Sequence, residues 1–160
     1  MSRDLGNELP GALLSMLDGH DLSSRMGKAI LIATVDAHGR AHPALLSYGE
    51  VVAVDARRLR LTTYRTSGTS NNLRRSGRLT LCLIEAGMAY YVKTLAVEQE
   101  APSNPALARF EATVEQVLVD QAREDLEPGA RLTRGIEFDP GRPAAEVLAA
   151  WEAALDTLRS

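Results

Sequence analysis

The sequence predicts a mostly antiparallel β fold, a barrel or sandwich carrying peripheral helices. Short apolar stretches of strand length follow one another from Lys28 to Leu118, turn residues separate them at hairpin spacing, and helical periodicity is confined to both chain ends and one short central segment. With 160 residues, 45% of them hydrophobic and 24% charged, the composition is that of one globular domain spanning 1–160. A chain of this length buries a core without needing disulfides or a structural metal.

Leu9, Ala12, Leu13, Met16 and Leu17 share one helical face, so a short amphipathic helix precedes Gly19. Ala29 to Val35 is too short and too β-branched for an ordinary helix and reads as a buried strand. Asp36-Ala37-His38-Gly39 supplies turn chemistry, and Ala41 to Tyr48 returns as the antiparallel partner. Glu50 to Val54 continues that strand or begins another, and Leu59 to Thr63 alternates as a further β segment.

A two-turn helix is expected before Gly77, capped by Ser67, Thr69 or Ser70. Leu79 to Ile84 and Ala89 to Val97 form a hairpin around Ala86-Gly87, and Pro102 to Pro105 is a loop. Phe110, Ala112, Val114, Gln116 and Leu118 fall on one face of a long strand. Ala122 to Leu126 reads as a short helix and Leu132 to Phe138 as a short strand. Pro143 suits the first turn of a final helix whose stripe is Val147, Leu148, Trp151, Leu155 and Leu158.

The opening residues lack the order of a secretory signal, and no apolar run approaches the roughly 18 residues of a membrane span. The lone Cys82 excludes an intramolecular disulfide or thiolate pair and fits a reducing, cytoplasmic setting; between Leu81 and Leu83 it reads as a small core residue. A net charge of −3, from 18 Lys+Arg against 21 Asp+Glu, gives no general attraction to nucleic acid. Charge is nevertheless uneven: seven arginines and no carboxylate lie between Arg57 and Arg78.

That basic stretch surrounds the segment from Thr62 to Arg75. Unpaired N–H groups at a helix start carry partial positive charge, and hydroxyls, a glycine and arginines gather around this one, the ingredients of a phosphate site. The same residues also suit an ordinary cap and a solvated face, and the run is not a nucleotide P-loop.

The stretches GKAILIATVDAHGRAHPALLSYGEV, LRLTTYRTSGTSNNLRRSGRLTLCLI and YYVKTLAV together resemble the pyridoxamine 5'-phosphate oxidase-like flavin-binding split barrels. The likeness covers most of Leu9 to Val97, including the Asp-x-x-Gly hairpin and the Ser67-x-x-x-x-Asn72-Leu73 entry to the short helix. It implies an antiparallel split β-barrel with N- and C-terminal helices, a homodimer, and flavin mononucleotide (FMN) at the subunit boundary. His42 and Ser47 stand where the oxidases carry the Arg and Lys of Arg-x-x-x-x-Lys, Thr62 and Thr63 where they carry Tyr-Thr, and Ser67, Gly68 and Thr69 where they carry Ser-Arg-Lys. The expected cofactor site is therefore His42, Ser47, Thr62, Thr63, Ser67, Gly68, Thr69 and Asn72.

The departures have a magnitude. A charge-assisted hydrogen bond is worth about 1.5–3 kcal/mol and a neutral one about 0.5–1.5, so flavin affinity falls unless Arg65, Arg74 or Arg75 turns inward. The carboxy-terminal Trp and Arg-x-His of the true oxidases are also missing, which argues against pyridoxamine phosphate oxidation. Two functions stay open: a flavin-dependent oxidoreductase using FMN or a deazaflavin, with no catalytic residue named, and a non-catalytic barrel whose pocket takes haem or another anionic small ligand.

Other residues have plainer readings. His20, His38 and His42 lack metal-ligand spacing, and His42 is either a site-lining residue or a strand histidine. Asp120, Glu124, Asp125 and Glu127 lack the pattern of a calcium loop and read as a solvated face. Tyr90-Tyr91 supplies a dimer surface or core filling, and Trp151 packs with Val147 and Leu155.

Overall fold

The computed structural model describes residues 2–160. In chain order its elements are β1 (Ser2–Asp4), α1 (Gly11–Leu17), β2 (Lys28–Val35), β3 (Ala41–Ser47), β4 (Val51–Asp55), β5 (Arg58–Tyr64), α2 (Gly68–Ser76), β6 (Arg78–Glu85), β7 (Met88–Glu98), β8 (Leu107–Asp120), β9 (Ile136–Glu137) and α3 (Ala144–Arg159). The strands form one antiparallel sheet in the order β3-β2-β6-β7-β8-β5-β4, with β1 added to β8 and β9 to β2. The sheet curls into a half-barrel, the split barrel expected from the sequence, with α1 and α3 against β4.

The first hairpin forms as its turn residues require. Asp36 Oδ1 accepts the backbone N–H groups of His38 and Arg40 at 2.8 and 2.9 Å, and Gly39 takes φ +77°. The resulting register sets Thr34 opposite His42 and Ala29 opposite Ser47. Along β2, Ile30, Ile32 and Thr34 turn inward, while Leu31 and Ala33 are half-buried on the other face.

Strand β8 departs from the expected pattern. Its inward residues are Phe110, Ala112 and Val114, then Val117 and Val119, so Gln116 and Leu118 lie on the opposite face from the one predicted. Opposite Lys93 and Thr94 the register moves from Gln116 to Val114, which leaves Glu115 as the extra residue of a bulge. One inserted residue inverts a period of two. The bulge keeps Val117 and Val119 fully buried and exposes Glu115.

Other expectations also change. Ala122 to Leu126 is not a helix: Arg123 pairs with Asp125 at 2.6 Å, its carbonyl accepts the N–H groups of Leu126 and Glu127, and Pro128 ends the turn. The strand expected over Leu132 to Phe138 shrinks to Ile136–Glu137, whose pairing stops at Lys28 and Ala29. β4 begins at Val51, because Tyr48-Gly49-Glu50 is a separate turn. β1 and a 3-10 turn at Leu22–Arg25 were not foreseen. Trp151 packs with Val147 and Leu155 as expected, and Tyr90 is core while Tyr91 reaches Asp120 through its hydroxyl at 3.3 Å. Cys82 is half-buried, and burial pushes its thiol pKa up, away from nucleophilic use.

Gly49 explains how α3 docks. A Cβ at that position would overlap Cδ1 and Cγ of Trp151, so the indole lies directly on the turn between β3 and β4. The Gly49→Ala variant is expected to lose about 1–3 kcal/mol of stability through this overlap, seen as a lower urea midpoint at unchanged slope.

Candidate functional site

Helix α2 positions the predicted site. Ser67 caps it, with Oγ accepting the Ser70 N–H at 3.1 Å, and Gly77 ends it at φ +69° with its N–H on the Leu73 carbonyl at 2.8 Å. One face of the helix, Thr69, Ser70, Asn72 and Leu73, is buried against the sheet. Buried polar groups must pair, and the side chains of Ser70 and Asn72 do. Ser70 Oγ donates to the Tyr64 carbonyl at 2.6 Å, which leaves the Thr63 hydroxyl to donate to Ser70 Oγ across 2.6 Å. Asn72 Nδ2 donates to Thr34 Oγ1 at 3.0 Å, and Asn72 Oδ1 accepts from Arg75 at 2.8 Å.

These braces sort the eight expected residues. Thr63 and Asn72 hold α2, the Thr63 hydroxyl against Ser70 and the Asn72 amide between Thr34 and Arg75. His42, Ser67, Gly68 and Thr69 come together at the start of the helix. The His42 ring packs on Gly68 so closely that a Cβ there would lie 3.2 Å from Cε1 and 3.3 Å from Nε2. Ser47 and Thr62 meet elsewhere: Glu50 accepts the Ser47 N–H on its carboxylate at 2.6 Å and the Thr62 N–H on its carbonyl at 3.0 Å. On β3, Ser47 is five residues from His42, so the two groups sit at separate positions along one strand.

Among the described residues, the backbone N–H groups of Gly68 and Thr69 and the Thr69 hydroxyl have no hydrogen-bond partner in the chain. They and the His42 imidazole form a corner at the positive end of the α2 dipole, which is the geometry that accepts an oxyanion. No arginine turns into it. Arg65 donates to the carbonyls of Pro105 and Leu107 at 2.7 and 2.9 Å, Arg74 grips Glu98 at 2.8 and 2.9 Å, and Arg75 holds Asn72 and the Val35 carbonyl. The Arg74 guanidinium in turn holds the Glu98 carboxyl below its usual range.

The sequence did not reveal Thr34, Glu50 or Glu98 as parts of this arrangement, and it offered Ser70 as a cap, the role that Ser67 takes. The signal for Thr34 was present in the alternation of β2, which turns its hydroxyl inward at the position directly opposite His42. Glu98 pairs with Arg74 across 24 positions, a separation without a local pattern.

No family profile matches the chain. The uncharacterized protein YclD of Bacillus subtilis strain 168 is 30% identical over 154 residues, covering 96% of this chain and 97% of that protein. Among solved structures, a Lactobacillus delbrueckii protein classed with the pyridoxamine 5'-phosphate oxidases has a TM-score of 0.55 at 18% identity, covering 72% of this chain and 98% of that one. A conserved hypothetical protein of Mycobacterium tuberculosis has a TM-score of 0.54 at 13% identity, covering 81% of this chain and 96% of its own. At these identities the structural likeness is one of fold.

The sorting of the residues is testable by stability alone. Ser67→Ala is expected to cost about 1 kcal/mol as a lost cap, and Asn72→Ala about 1–3 kcal/mol because Thr34 loses its buried partner. Thr62→Ser, at a hydroxyl with no partner in the chain, is expected to stay within about 0.5 kcal/mol in the same urea titration.

Proposed function

We propose that the chain, which belongs to one family with the Bacillus subtilis protein YclD and has the fold of the pyridoxamine 5'-phosphate oxidase-like split barrels, binds flavin mononucleotide and serves as a flavin-dependent oxidoreductase. The observation that carries this reading is the corner at the start of α2, where two free backbone N–H groups, the Thr69 hydroxyl and the His42 imidazole converge. These donors fit a phosphate monoester. They fit it with neutral groups, so the affinity is lower than in a site with fixed cations.

In this reading Gly68 and Thr69 hold the phosphate through their N–H groups, and His42 closes the corner from the sheet side. Thr62 and Ser47, further along the same sheet, line the path of the rest of the flavin. A bound flavin would supply hydride or electron transfer, so the chain needs only to hold and orient it. The protein acts as a homodimer, with the flavin at the boundary. Leu45, Tyr64 and Val97, 53, 68 and 61% exposed on the sheet, supply apolar surface for the second copy.

One observation favours a second reading. Arg65, Arg74 and Arg75 are all tied to other groups, so the site has lost its cations without replacement, as it would if the pocket had been reassigned to haem or another anionic ligand.

Titration with FMN, followed by flavin fluorescence, separates the two. The first reading expects saturation at one FMN per chain, weakening by about tenfold in Thr69→Ala, and tightening by about tenfold in His42→Arg, which restores a charge-assisted bond. Riboflavin binding as tightly as FMN would remove the phosphate from the reading, and saturation by haem but not by FMN would favour the second. A monomeric mass at micromolar concentration in sedimentation would contradict the dimer.

A further inference from the structure

A cleft lies at the other end of β3 from the α2 corner, built from residues the flavin reading does not use. Its volume is about 380 Å³, within the range of small-molecule sites. Its walls come from the start of β2, the end of β6 and the segment 132–137, with Tyr48 among the lining residues. That segment forms a strap fixed at both ends: Leu132 donates to the Gly87 carbonyl at 2.9 Å, and Phe138 donates to the Gly27 carbonyl at 2.7 Å. Between the anchors, Gly135 lies against Ile84, where a Cβ would come within 3.1 Å of Cγ1.

The charges in this cleft leave one over. Glu85 is paired with Arg25 at 3.5 Å, and Arg25 also lies 5.8 Å from the centroid of the Tyr48 ring, so the carboxylate at the end of β6 is already balanced. Glu137 is drawn to Arg134 at 4.0 Å. Lys28, directly opposite Glu137 in the β2–β9 register, has no ion pair among the described residues. Tyr48 lines the same cleft, and its hydroxyl donates to no group of the chain, although the residue is only 5% exposed. Burial pushes the Tyr48 pKa up to about 12, so this phenol remains a neutral donor at physiological pH.

We propose that this strap-covered cleft binds a small organic carboxylate with an apolar body, its charge on Lys28 and Tyr48 and its body against Leu83, Ile84, Leu132 and Ile136. A single lysine and a single neutral donor suit a monoanion. With Glu85 and Glu137 drawing on Arg25 and Arg134, the single charge left on Lys28 offsets a monoanion and not a phosphate dianion. The apolar side chains supply area that an inorganic anion cannot use.

The test is calorimetric titration of flavin-free protein with benzoate, with benzyl alcohol as the uncharged counterpart of the same shape. Saturable binding of one benzoate per chain is expected, with benzyl alcohol weaker by about tenfold. Lys28→Gln, at an exposed side chain whose loss leaves the fold intact, is expected to weaken benzoate by about tenfold, and Tyr48→Phe by about threefold at an unchanged melting temperature. Absence of saturable binding at millimolar benzoate, equal affinity for benzyl alcohol, or an unchanged affinity in Lys28→Gln would each overturn the assignment. No flavin takes part, so the result is independent of what the corner at α2 binds.

Discussion

The placement of α2 depends on a requirement that has nothing to do with ligands: polar groups buried under a helix must find partners. Ser70 is fully buried and Asn72 nearly so, and each would carry a desolvation cost of about 1–3 kcal/mol if left unpaired. Thr63 and the Tyr64 carbonyl satisfy one, Thr34 and Arg75 the other. Arg75 belongs to α2 itself, but the other partners sit on β5 and β2, two strands that are not neighbours in the sheet, so the helix is fixed in both translation and rotation. Its first turn then faces β3, and Gly68 lets His42 approach. The donor corner follows from the braces behind it.

The same reasoning accounts for the arginines. In the sequence, seven of them without an intervening carboxylate look like a field prepared for an anion. In the fold, carboxylates and carbonyls from distant segments meet five of the seven, Arg58, Arg60, Arg65, Arg74 and Arg75: Glu111 reaches Arg60 at 3.0 Å, Glu98 reaches Arg74, and Arg109 joins Arg60 at the last carbonyls of α3, where cations suit the helix dipole. Local charge density along a chain is thus a poor guide to local charge density in space when strands from far apart lie side by side.

The parts of the fold legible in the sequence are those governed by local rules. The Asp36 turn, the Ser67 cap, the Gly77 stop and the stripe of α3 each depend on residues within a few positions, and each formed where its residues predicted. What stayed hidden depends on distant partners. The bulge at Glu115 is visible only in the pairing with β7, and it inverted the faces assigned to Gln116 and Leu118. β1 has three exposed residues and exists because β8 offers an edge for it to pair with. For the site, residue types were readable but their duties were not: a hydroxyl at Thr63 looks the same in sequence whether it meets a phosphate or Ser70.

The two proposed sites differ in how a positive environment is built. At the start of α2 the charge is partial and spread over oriented backbone dipoles, and it is fixed in place by the braces. In the strapped cleft it is one full charge on a flexible lysine stem, unbalanced only because Arg25 neutralises Glu85 and Arg134 draws Glu137 away. The backbone corner suits the three oxygens of a phosphate, which need several donors at fixed angles. The lysine suits a carboxylate, which tolerates a mobile partner and gains most from the apolar walls beside it. Ser47, which the flavin reading uses, and Tyr48, which lines the cleft, are adjacent residues at the end of β3, so a displacement of that turn would move a residue of each proposed site.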